Sequence, residues 1–186
     1  MVKFLINNED LQVRKLVESD KILLAKWLSN PDVLQYYEGR DNPFDVRKVE
    51  QEFYTGEEGT TRCLIEFEGT SIGYVQFYEI DEEERKLYDY ADLKEVIYGM
   101  DQFIGEVSYW NKGIGTKLVS SVVEYLIPER KADRIVMDPR TQNKRAIFCY
   151  EKCGFTKLKL LPKRELREGA YHDCWLMEYR KTGEDL

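Results

Sequence analysis

The chain has 186 residues and a formal net charge of −7, from 28 Lys and Arg against 35 Asp and Glu, with a single histidine. That length is read as one domain, residues 1–186, able to bury roughly 70% of the surface its unfolded chain would expose. An apolar share of 42% excludes intrinsic disorder, and the acidic balance argues against nucleic acid or an anionic membrane while leaving a cationic partner open.

Met1-Val2-Lys3 opens no signal peptide and no apolar run reaches the ~20 residues of a membrane span, so a cytoplasmic location is expected. Residues 11–16 alternate as a half-buried strand. Ser19-Asp20 then reads as the cap of a helix with Ile22, Leu23, Trp27 and Leu28 on one side. Pro31-Asp32 starts a short helical turn, and Asp45 caps another through Val49 to Tyr54. Residues 62–67 and 72–78 flank Glu68-Gly69 and predict a hairpin. Residues 79–95 read as a loop, and 96–104 as a strand.

Beyond a glycine turn, Ile114, Leu118, Val122 and Leu126 fall four apart along a helix. Ile135-Val136-Met137 is a short buried strand. Asn143 begins a helix carrying Ala146, Ile147 and Tyr150, and Gly154 stops it in a left-handed cap. Residues 155–161 and 171–180 are two closing strands. Hairpins first and helix–strand alternation later predict a mixed α/β (α+β) fold, with helices on both faces of a sheet. A sheet edge near the C-terminal strands leaves monomer and homodimer both open.

The rare residues restrict the chemistry. None of Cys63, Cys149, Cys153 and Cys174 forms a Cys-x-x-Cys pair, and they read as small buried residues; no metal is expected. His172, in a turn entering a strand, reads as a surface imidazole. Acid and base chemistry must then come from carboxylates and from the 13 tyrosines.

One stretch stands out. A strand runs through Asp101 into Tyr109-Trp-Asn-Lys-Gly-Ile-Gly-Thr116, and an amphipathic helix begins directly afterwards. Glycines let the backbone approach a ligand, and amides at a helix start present positive charge, which together can grip a pyrophosphate. Two glycines taken alone are more often simply a turn. The spacing fits neither a dinucleotide fingerprint nor a P-loop. Asn143-Lys-Arg-Ala-Ile-Phe-Cys-Tyr150 follows one helix and one strand later.

This pair of motifs resembles the GCN5-related N-acetyltransferases (GNAT). The resemblance implies a GNAT fold, with a mostly antiparallel sheet of about seven strands, and acetyl-CoA as cofactor. The glycine turn would hold the pyrophosphate through Asn111, Lys112, Gly113, Ile114, Gly115 and Thr116. Asn143 and Ala146 would lie along the pantetheine arm. Trp110 departs from the Gln or Arg that usually opens this turn, removing one side-chain contact to phosphate.

Gly73-Tyr-Val-Gln-Phe-Tyr78, Tyr98-Gly-Met-Asp-Gln-Phe-Ile-Gly-Glu106, Met137-Asp-Pro139 and Asp173-Cys-Trp-Leu-Met-Glu-Tyr179 narrow the resemblance to the aminoglycoside 6′-N-acetyltransferases. By that match Asp101 is the general base, and Tyr150 stands beside the departing thiolate. Gln76, Tyr78 and Asp138 line the acceptor site.

The chemistry is consistent with those roles. An ammonium group cannot attack a thioester, so the amine must first give up a proton, which a carboxylate can take directly or through a water, a gain of ~10²–10⁴ in rate. Partial burial would raise the pKa of Asp101 towards neutrality. Backbone amides of Gln102, Phe103 and Ile104 would serve the carbonyl oxygen if the strand splays from its neighbour. Residues 79–95 hold eight carboxylates against three cations, a local −5. Most such runs are solvated loops, but Asp89 and Asp92, interleaved with Tyr88 and Tyr90, are candidates for gripping a polycationic aminoglycoside, with Asp138 and Asp173 completing the cleft. The alternatives are a GNAT enzyme acting on another amine (a siderophore precursor, a polyamine or a protein N-terminus) and a non-catalytic acyl-CoA-binding module.

Overall fold

A computed structural model describes residues 3–56 and 59–183. Met1 and Val2, which carry part of the signal-peptide expectation, lie outside the described residues. The strands are β1 (Phe4–Asn8), β2 (Leu11–Lys15), β3 (Thr61–Phe67), β4 (Thr70–Glu79), β5 (Ile97–Ile104), β6 (Arg134–Met137), β7 (Thr156–Arg167) and β8 (Ala170–Arg180). They form one eight-stranded sheet in the order β1-β2-β3-β4-β5-β6-β8-β7. Every pairing is antiparallel except β5 with β6.

The two faces follow from strand alternation. Cys63, Ile65, Val75, Phe77 and Met100 point to one side and pack against α5 (Ile114–Arg130), through Leu118, Val122 and Leu126, and against α6 (Lys144–Lys152), through Ile147. Leu64, Tyr74 and Phe103 point to the other, beneath α1 (Lys21–Trp27), α2 (Pro31–Leu34) and α3 (Val46–Val49). The mixed sheet covered by helices on both sides is therefore as expected. The eighth strand is β1, whose Phe-Leu-Ile-Asn-Asn lacks a period-two pattern.

Two local expectations need correction. Residues 79–95 are not all loop, because α4 (Glu82–Tyr88) forms within them. Asp81 accepts from the Glu84 amide as the cap, three glutamates fill the first turn, Arg85 and Lys86 fill the last, and Asp89 closes the helix at φ 64°. Charges that looked like a solvated run are arranged to suit a helix dipole. On α1, Ile22 is 67% exposed while Leu24 is fully buried. Asp20 does not cap α1 with its side chain. It is buried in a bidentate pair with Arg14 at 2.7 and 3.0 Å.

Candidate active site

The site arises where β5 loses a neighbour. The parallel pairing with β6 covers only Ile97 to Gly99, opposite Arg134 to Val136. The remaining β5 residues have strand β4 on one side only, and Trp110 Nε1 donates to the Ile104 carbonyl at 2.8 Å at the far end. The splay expected from the sequence is present, and a cleft of about 510 Å³ opens along it.

Alternation sends successive β5 side chains into this cleft from opposite faces of the sheet. Asp101 lies on the α1–α3 face, beside Phe103. Its carboxylate accepts from Gln76 Nε2 at 2.9 Å and from the Tyr78 hydroxyl. The Gln76 amide is itself oriented by the Tyr74 hydroxyl, which donates to Gln76 Oε1 at 2.8 Å. Burial is the largest influence on Asp101 and lifts its pKa to about 6, against those hydrogen bonds and with help from the charges of Asp138 and Glu165.

Gln102 points to the α5–α6 face, where its Nε2 donates to Tyr150 Oη at 2.8 Å. Burial also holds the Tyr150 phenol well above its usual range. Gln102 Oε1 is buried without a hydrogen-bond partner among the described residues. An N–H-bearing chain lying in the cleft would satisfy it.

The glycine turn builds the other end. Gly113 adopts φ 78°, a conformation that favours glycine, and serves as the N-cap of α5. The first helical bond there runs from Lys117 N to Gly113 O at 3.1 Å. The amides of Ile114, Gly115 and Thr116 precede it and carry the positive end of a 17-residue helix. A Cβ on Gly113 would meet only open space, and Gly113, Ile114, Gly115 and Thr116 all line the cleft. On α6, Asn143 Oδ1 accepts from Ala146 N at 3.2 Å, which fixes both residues at the cleft wall. The unpartnered Gln102 acceptor, the open helix N-terminus and the strand splay together suit the arm and diphosphate of acetyl-CoA.

Of the residues singled out in the sequence, Asp101, Tyr150, Gln102, Phe103, Ile104, Asn111, Gly113, Ile114, Gly115, Thr116, Asn143, Ala146 and Asp138 all line this cleft. Lys112 does not, and its ammonium lies over the Tyr109 ring. Gln76 and Tyr78 reach the site through Asp101. Asp89, Asp92 and Asp173 are held elsewhere. Asp89 pairs with Lys159 at 2.5 Å, Asp92 accepts from Lys94 N, and Asp173 accepts from Lys163 N at 2.8 Å. The acidic segment instead reaches the site through Tyr88, whose hydroxyl donates to Asp138 Oδ2 at 3.2 Å beside Arg164 Nε at 2.9 Å.

Sequence reasoning missed several lining residues: Tyr36 and Tyr37 in the turn after α2, Arg140, Arg145, and Glu165 with Arg167 on β7. The Tyr-Tyr pair just before Glu38-Gly39 was the one visible signal. The thiols of Cys149 and Cys153 are half-buried rather than buried, within 3.5 and 3.4 Å of the Thr116 and Ser120 hydroxyls respectively. Among the described residues no His, Cys, Asp and Glu side chains cluster as a metal site, and no helix is long and apolar enough to cross a membrane.

Residues 17–162 match the acetyltransferase (GNAT) domain family. The aminoglycoside N(6')-acetyltransferase type 1 of Klebsiella pneumoniae is 29% identical over 154 residues, covering 81% of this chain and 76% of that protein. The structure of aminoglycoside acetyltransferase AAC(6')-Ib with coenzyme A and kanamycin is similar at a TM-score of 0.72 and 26% identity, covering 92% of this chain and 95% of that one. Spermidine N-acetyltransferase from Vibrio cholerae, solved with coenzyme A and spermine, shares the fold at a TM-score of 0.74 and 20% identity, covering 93% and 96%.

Proposed function

Because the chain belongs to the GNAT acetyltransferase family, and so uses acetyl-CoA, we propose that it acetylates the 6′-amine of aminoglycosides, with residues 1–186 acting as one catalytic domain. The observation that carries this reading is the placement of Asp101 and Tyr150 on opposite faces of one splayed strand edge, both lining the same cleft.

When bound, acetyl-CoA supplies an acetyl group on a thioester, with the thiolate as leaving group. Asp101, with a pKa of about 6, is largely ionised at pH 7 and takes the proton of the acceptor ammonium. Gln76 and Tyr78 donate to that carboxylate and hold it facing the cleft. The released lone pair attacks the acetyl carbon, forming the N–C bond as the C–S bond breaks. The free edge of β5 past Gly99 offers backbone amides to the carbonyl oxygen. Tyr150 would give its hydroxyl proton to the departing sulfur, and the second proton shed by the acylated nitrogen would restore the phenol, leaving a neutral amide, a free thiol and one proton on Asp101. No covalent enzyme intermediate is needed.

A second reading keeps the chemistry and changes the acceptor to another amine, such as a polyamine. It is favoured by one observation: Asp89, Asp92 and Asp173 stand outside the cleft, and Asp138 is already paired with Arg164. Thiol release from acetyl-CoA with kanamycin, tobramycin, spermidine and an N-terminal peptide amine separates the two. Turnover confined to the non-aminoglycoside amines would replace the first reading with the second.

A further inference from the structure

Arg145, the second residue of α6, stands at the cleft mouth between two aromatic rings. Its guanidinium carbon is 4.5 Å from the Tyr36 ring centre and 4.5 Å from that of Trp110. The two rings meet edge to face at 5.7 Å and 80°. Trp110 is fixed in turn by its bond to the Ile104 carbonyl. The Arg145 guanidinium makes no hydrogen bond and no ion pair among the described residues. The other arginines lining the cleft are engaged: Arg140 with the Gln35 carbonyl, and Arg167 with Glu165 and Glu38.

Rings beside a guanidinium hold it by cation–π attraction and leave its N–H groups directed outwards in the plane of the fork. That fork suits two phosphate oxygens. Arg145 lines the same cleft as Gly113, Gly115 and Thr116, at the positive end of α5. An unpaired planar cation and a helix N-terminus thus face one cavity. We propose that Arg145, clasped by Tyr36 and Trp110, is a ligand for the diphosphate of acyl-CoA. Trp110 would then contribute through the cation it orients, not through a bond of its own. The inference rests on acetyl-CoA use and not on the identity of the acceptor.

The test is calorimetric binding of coenzyme A to the wild type, Arg145→Gln, Trp110→Leu and Trp110→Phe at low and moderate salt, with thermal melts confirming that each variant folds. Arg145→Gln should weaken binding about tenfold and flatten its salt dependence. Trp110→Leu should do the same in part, and Trp110→Phe should keep most of the affinity. With S-acetylpantetheine, which lacks the diphosphate, the kcat/KM of Arg145→Gln should equal that of the wild type. Unchanged coenzyme A affinity in Arg145→Gln overturns the proposal. So does an equal loss with S-acetylpantetheine, which would make Arg145 a roof over the arm. If the wild type itself fails to bind coenzyme A, acetyl-CoA use falls along with the inference, whereas failure on aminoglycosides alone leaves the inference intact.

Discussion

Gln102 donates to the Tyr150 hydroxyl oxygen at 2.8 Å, so that oxygen is already occupied as an acceptor and its proton is free for another partner. Burial keeps the phenol protonated far above neutral pH. Tyr150 is thereby set up as a proton donor. Tyr150→Phe removes the donor together with the acceptor of the Gln102 bond, while the ring still packs on Phe155. Turnover should fall by about 10²-fold, within the usual range for a general acid, with the KM for acetyl-CoA within about threefold of wild type. Full turnover in this variant would leave the thiolate to depart without help from Tyr150.

Asp101 gives a pH signature in both rate and stability. As the base, with a pKa of about 6, it should make kcat/KM rise with pH through that value, and Asp101→Asn should abolish the rise along with most of the activity. The stability effect has the opposite direction. A carboxyl whose pKa is raised from 3.8 to about 6 on folding binds more protons in the native state, so its ionisation lowers stability as pH climbs from about 4 to above 6. Asn at this position can still accept from Gln76 and does not ionise. The stability of the variant relative to wild type should therefore increase by up to about 3 kcal/mol between pH 4 and pH 7, read by urea unfolding at both values. A constant difference would mean that Asp101 titrates normally in the folded protein.

Seven of the eight strands and the major helices were legible because each carried an apolar pattern bounded by a clear turn or cap: Glu68-Gly69, Asp45, Gly113, Asn143 and Gly154 all sit where their chemistry suggested. The cofactor end of the cleft was legible for the same reason, since backbone amides and glycines are local features. The acceptor end was not. Its residues come from the turn after α2, the segment after β6 and β7, and only tertiary packing brings Tyr37, Asp138 and Glu165 together. The helix in the acidic segment was readable in principle, from Asp81 ahead of Glu82-Glu83-Glu84 and then Arg85-Lys86, but a tally of charge concealed the order of the charges.

That rearrangement moves the expected charge effects. Asp138 lines the cleft, and Arg164 and Tyr88 hold it there. Asp89 is exposed and pairs with Lys159. Asp138→Asn should raise the KM for a polycationic acceptor about tenfold and weaken its salt dependence. Asp89→Asn and Asp92→Asn should change KM less than about twofold, because exposed pairs contribute little. If steady-state kinetics over a salt series give the reverse ranking, the acceptor approaches over α4 and not through the cleft.

Gly105 follows the last residue of β5, where the chain leaves the sheet. A methyl group added there would overlap the Trp27 indole, a fully buried ring that meets Phe103 edge to face at 6.2 Å and donates to Glu106 Oε1 at 2.8 Å. Nothing flexible can give way, since Trp27 is pinned by both contacts. Gly105→Ala should therefore destabilise the fold by about 1–3 kcal/mol through overpacking. The displacement would pass from Trp27 to Phe103, two residues beyond Asp101 on the same face of β5. Activity should accordingly fall further than the loss of folded protein accounts for, measured as kcat per folded molecule well below the melting temperature. A variant that is destabilised but fully active per folded molecule would show that the base is positioned by Gln76 and Tyr78 alone, independently of the packing beneath Phe103.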